Sequence, residues 1–144
     1  MKRLGAYIAL AALACTTPAT SLLVTVESDL PWGATGVIDR VRVRVRDDSV
    51  NGVARPTQEF VLGRAAGQTS VPFSFGVVPK EGATTGTVVI EVTGCRGSCS
   101  TDAVVTAQTI ATFTPQQTRT LRVTLAGRCR YVRCGADATC DATT

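Results

Sequence analysis

Six cysteines and no histidine set the chemistry open to this chain. Without imidazole there is no Ser-His-Asp or Cys-His nucleophile system. There is also no zinc site that requires a histidine ligand, and the usual general base near neutral pH is missing. What remains is thiol chemistry. Cys95 and Cys99 stand in a glycine-rich turn, GCRGSC, where a local bridge would pin the loop tip. Cys129, Cys134 and Cys140 form a tail with the spacing C-x4-C-x5-C. Four thiolates can hold zinc, but neither group has the two-residue spacing of a zinc ribbon, and disulfides are the expected outcome in an oxidising compartment. No metal and no cofactor is therefore expected. The pairing is open. A local Cys95–Cys99 bridge is preferred because, once Cys15 is set aside, it confines the odd thiol to the tail, where it can link two chains.

The second candidate is a row of arginines. In residues 39–47 (DRVRVRVRD), Arg40, Arg42, Arg44 and Arg46 alternate with Val41, Val43 and Val45. On a strand, alternate residues lie ~6.8 Å apart, so the four arginines span ~20 Å of one face. Such a row can track phosphates or an acidic polysaccharide. The plainer reading is a solvated outer face, its charges paired across strands with neighbours such as Glu59 or Glu91. Trp32, the one tryptophan, sits in a Pro-Trp-Gly loop. It can stack on a sugar or, as the plainer expectation, plug the end of the fold. Asp47, Asp48 and Asn51 carry calcium-type oxygens without the spacing of a known calcium loop, so an ordinary turn is expected. No phosphate-binding glycine loop and no paired-carboxylate signature is present.

The N-terminus begins MKRLGAYIALAALAC. Lys2 and Arg3 precede an apolar run of 11 residues, 4–14. As a helix that run spans ~16 Å, about half a bilayer core. A basic start, a short apolar run and small residues before the cut read as a secretory signal peptide. Ala12-Leu13-Ala14-Cys15 resembles the lipobox of bacterial lipoproteins, with Ala12 where Leu or Val is usual. That resemblance implies cleavage before Cys15 and acylation of its thiol and amine. Thr16 follows in place of an inner-membrane retention aspartate, which implies the outer membrane. The same residues also fit a plain small-x-small cleavage site, which would give a soluble secreted or periplasmic protein. Removing Lys2 and Arg3 from the 15 Lys+Arg leaves 13 against 11 Asp+Glu, too even a balance to imply nucleic-acid binding.

The elements that must position these groups are strands. Valine and threonine are abundant, and β-branched residues fit a pleated surface. Strand patterns fall at 21–27, 39–47, 58–62, 70–78, 87–93, 104–113 and 120–125, separated by Gly, Pro and Asn turns. Pro72 marks its strand as an edge. Val41, Val43, Val45, Phe73, Phe75, Ile90, Val92, Leu121 and Val123 are expected to face the core. The expected fold is all-β, an antiparallel Ig-like β-sandwich of seven or eight short strands, following a signal helix and preceding a short Cys-rich tail. Its expected organisation is signal peptide 1–14, tether 15–20, sandwich 21–127 and tail 128–144.

A strand-rich domain after a lipobox, closing with L-x-G-x-C-x4-C-x5-C from Leu125, is similar to surface lipoproteins abundant in myxobacteria. The resemblance implies location and architecture and supplies no catalytic residues. The tail looks like the opening of a small disulfide knot. The sequence is thus expected either to be the front part of a longer protein or to use one tail cysteine between chains. The expected function is a non-catalytic interaction or structural module on a lipid anchor, contacting envelope protein or glycan. The alternative is an anion-binding surface on Arg40, Arg42, Arg44 and Arg46.

Overall fold

The computed structural model describes residues 19–48, 52, 54–81, 83–134 and 138–140. The expected signal peptide, residues 1–14, lies outside the described residues, as do Cys15 and Asn51. Seven strands follow one another: β1 (Ser21–Ser28), β2 (Arg40–Asp47), β3 (Gln58–Val61), β4 (Phe73–Val77), β5 (Gly86–Cys95), β6 (Ala103–Phe113) and β7 (Thr118–Leu125). A 3₁₀ turn, Gly127–Cys129, follows β7.

The strands form two sheets, ordered β4-β1-β7 and β3-β2-β5-β6, with one apolar core between them. Period-2 alternation decides the inward faces. Leu22, Val24 and Val26 of β1 are buried, as are Val41 and Val43 of β2 and Val88, Ile90 and Val92 of β5. Strand β5 is buried on its outer face as well, at Val89, Thr93 and Cys95. The register sets Val89 beside Arg46 and Thr93 beside Arg42, where arginine methylene stems can cover them. The Nε atoms of Arg40 and Arg42 are themselves out of solvent, so these side chains lie down along the sheet.

The inward faces follow the sequence pattern with four softened positions. Val45, Phe73, Phe75 and Leu121 are half-buried and pack against the margin of the core. Phe73 and Phe75 lie on β4, an edge of its sheet, as Pro72 indicates, although the proline precedes the strand instead of lying within it. Their rings meet Phe60 of β3, with centroids 4.8 and 6.4 Å apart, and so close the side opening between the two sheets. An edge strand has a covered neighbour on one side only, which is why these rings keep some exposure.

The all-antiparallel expectation needs one correction. β1 and β7 pair in parallel over eight residues, from Ser21↔Thr118 to Ser28↔Leu125. Hairpin turns announce antiparallel neighbours, but these two are the first and last of the described strands. No turn joins them, so no local residue signals their direction. The other pairings are antiparallel.

Candidate functional site

The arginine face forms on β2 as the alternation requires. Arg40 lies 3.9 Å from Glu59 and from Asp39, and Arg44 lies 3.8 Å from Glu91. Glu59 and Glu91 are the cross-strand partners that the sequence suggested; Asp39 is the chain neighbour of Arg40. They are long contacts between part-exposed groups, worth little each. Arg42 and Arg46 have no acidic partner among the described residues, although Glu59 stands opposite Arg42 in the register. Among the described residues the face therefore keeps two guanidinium groups without an ion pair, Arg42 and Arg46, one on either side of Arg44.

Asp47, at the end of the same strand, is committed elsewhere. Its carboxylate sits 2.5 Å from Lys80 Nζ and 3.5 Å from Arg55. The hydrogen bond from Lys80, helped by both positive charges, holds the Asp47 carboxyl below the usual carboxylate range. The cluster ties the β2 end to the loop after β4. It leaves this aspartate unavailable for calcium, and Asn51 lies outside the described residues.

Cysteine geometry resolves the open pairing. Cys95 and Cys99 form a disulfide across the β5–β6 turn, with Cα atoms 5.1 Å apart. Gly97 makes that turn with φ of +74°, a conformation that costs glycine little. Cys129 and Cys140 form a second disulfide, Cα atoms 5.8 Å apart. Cys134 is free and exposed, so the odd thiol does fall in the tail. The tail runs along the outer edge of β6. The Tyr131 N–H donates to the Val104 carbonyl at 2.8 Å, and the Gln108 N–H donates to Thr139 Oγ1 at 3.1 Å. Buried Cys129 roots the tail in the core. Between the tail and the sheet lies a cleft of about 660 Å³, lined in part by Val104, Thr106, Gln108, Tyr131 and Cys134.

At the end of the sandwich where β1 leads into β2, Trp32 packs half-buried against the core, partly plugging it as expected. Its other surroundings were not legible in the sequence. The Arg64 guanidinium carbon lies 5.8 Å from the indole centroid. A cleft of about 600 Å³ opens there between residues 29–36 and 63–68, with Asp29, Thr35 and Gln68 on its walls. These groups come from two loops about thirty residues apart, and neither loop carries a motif pointing to the other. No family model, no curated protein and no solved structure matches this chain.

Proposed function

We propose that this chain is a lipid-anchored protein of the bacterial outer membrane that displays a non-catalytic β-sandwich as an interaction module. The observation that carries the reading is the pair of disulfides, Cys95–Cys99 and Cys129–Cys140. Disulfides of this kind persist in oxidising compartments and are rare in the cytosol. They support the signal peptide and lipobox resemblance at Cys15. Five residues separate Cys15 from Ser21, the start of β1. Fully extended they reach ~17 Å, so the sandwich would stand close to the membrane surface. The two facing sheets fit an immunoglobulin-like module in the broad architectural sense. The strand order differs from that of constant domains, in which the first, second, fifth and fourth strands share one sheet.

The anchor is tested by detergent partition and intact mass. The expected result is partition of the protein into the detergent phase, with acyl mass on the peptide that begins at Cys15. Cys15→Ser should release the protein into the soluble fraction. An unmodified mature N-terminus would sink the lipoprotein reading and leave the secreted or periplasmic alternative.

A second reading has its own support in Arg42 and Arg46, which have no acidic partner among the described residues. On it, the β2 face holds an acidic glycan or phosphate-bearing polymer. Substituting all four arginines by glutamine should then cut retention on a heparin column and remove its salt dependence. Retention unchanged by the substitution would return the row to a solvated outer face.

A further inference from the structure

We infer that the cleft built on Trp32 and Arg64 is a saccharide subsite that seats one pyranose ring of an envelope glycan. The inference deepens the reading of the domain as a binding module and names the partner class for one end of the sandwich.

The loop that presents Trp32 is fixed before any ligand arrives. The Gly33 N–H donates to the Ile38 carbonyl and the Gly36 N–H to the Gly33 carbonyl, both at 2.9 Å. The Val37 N–H donates to the Pro31 carbonyl at 2.7 Å. From the far side of the loop, the Arg96 guanidinium donates to the carbonyls of Gly36 and Ala34, the latter at 3.0 Å. A Cβ on Gly36 would stand 2.5 Å from the Trp32 carbonyl carbon, so only glycine lets the chain fold back this closely. A loop tied at this many points loses little entropy on binding. At about 600 Å³ the cleft is in the size range of small-ligand sites.

The functional groups suit a sugar better than other ligands of similar size. The half-buried indole lines the cleft, and the part of it left uncovered is an apolar surface for pyranose C–H groups. Arg64 is exposed, lies over the ring, and has no acidic partner among the described residues. Its N–H groups can therefore serve a ligand. Asp29 accepts the Gly127 N–H on Oδ1 at 2.6 Å, which leaves Oδ2 as an acceptor. Gln68 accepts the Ala65 N–H on Oε1 at 3.1 Å, which leaves its amide N–H groups as donors. Thr35 adds an exposed hydroxyl that can do either. Donors and acceptors thus surround an aromatic platform, which is what a polyol with one apolar face requires. A quaternary ammonium would be repelled by the Arg64 charge 5.8 Å from the ring centroid, which an uncharged sugar is not. A phosphate would find that single cation offset by the Asp29 carboxylate.

Trp32 is the only tryptophan in the chain, so intrinsic fluorescence reports this cleft without background. The full chain is titrated with cellohexaose, chitohexaose and oligogalacturonate, which separate neutral, N-acetylated and acidic sugars, with choline and inorganic phosphate beside them. A saturable spectral change with at least one sugar is expected. Arg64→Gln should weaken it about tenfold. Trp32→Ala should abolish binding measured by calorimetry, while Trp32→Phe retains part of it and shows that a folded cleft is being read. Arg119→Gln, exposed at the other end of β1 and β7 from the cleft, should leave it unchanged. No saturable response to any of the sugars, a response to choline or phosphate alone, or equal loss in Arg119→Gln and Arg64→Gln overturns the proposal. Chromatography of the same mixtures keeps the two readings apart. Cleavage of a bound sugar would end the non-catalytic reading with the subsite intact, whereas absent binding ends the subsite and leaves the envelope module standing.

Discussion

Ile90→Ala is expected to lower the stability of the domain by about 3 kcal/mol, with the melting temperature falling by roughly 10–20 °C. Ile90 is fully buried at the middle of β5, and β5 is an inner strand of its sheet, held by β2 on one side and β6 on the other. Removing three carbons there leaves a void that neither neighbour can close, because both are hydrogen-bonded along their length to β5. A small domain has only about 5–15 kcal/mol in total, so the change is a large share of it. Arg44→Gln, on the outer face of the neighbouring strand, should stay within about 0.5 kcal/mol. Phe73→Ala falls between. Full burial would give about 3–5 kcal/mol, but a half-buried ring at an edge should cost nearer 2 kcal/mol. Urea unfolding of the three variants checks the order. Ile90→Ala within 1 kcal/mol of the parent would mean that the sheets do not pack at this position.

The double variant Cys129→Ala/Cys140→Ala is expected to lose about 3 kcal/mol on the chain-entropy account of a loop of this length, the two cysteines being 11 residues apart. The loss should appear first as a local event. The bridge ties Cys140 to Cys129, which is buried in the core. Without it, the tail is held to β6 mainly through Val104 and Gln108. Exchange protection of the Tyr131 and Gln108 amides should fall before that of β5. The outer edge of β6 would then be open along part of an 11-residue strand, and an uncovered edge is a template for pairing with another chain. Concentration-dependent association should therefore accompany the loss of protection. Cys134→Ser is the control, since that thiol is exposed and unpaired. It should change stability little and remove any disulfide-linked dimer on a non-reducing gel. A double variant that keeps the parent's melting temperature and its exchange pattern would show that the bridge holds nothing in place.

What could be read from the sequence was what alternation and turn chemistry write locally. β2 is legible because arginine and valine alternate without interruption, and β5 because Val88, Ile90 and Val92 do the same. The strand positions, the Cys95–Cys99 turn and the edge position of β4 follow from residues close together in the chain. The parallel partner of β1 was not legible, because the choice of neighbour is made by closure of the whole sandwich. The softened burial of Phe73 and Phe75 had the same origin: alternation gives the face of a strand but not its distance from the edge. The Trp32 cleft was half visible. The tryptophan stood out, but Arg64 and Gln68 are ordinary loop residues until the two loops are brought together. Cys140 could not be matched to Cys129 from spacing, since Cys134 lies between them and is the nearer candidate for either.

The parallel pairing of β1 with β7 also bears on how the domain comes to exist. β1 is the middle strand of its sheet, yet one of its two neighbours is the last strand of the domain, and side-chain bonds such as Ser21 Oγ with Thr118 Oγ1 join residues 97 apart. Until residues 118–125 are available, β1 has only the five-residue β4 to lie against. The core has no lid on that side, and the loop entropy of bringing the two ends together has to be met before the longest pairing in that sheet forms. Topologies of this kind fold on the scale of milliseconds to seconds. The nascent domain should remain open and threadable until its final strand has emerged, a delay that suits a chain proposed to cross a membrane before it folds.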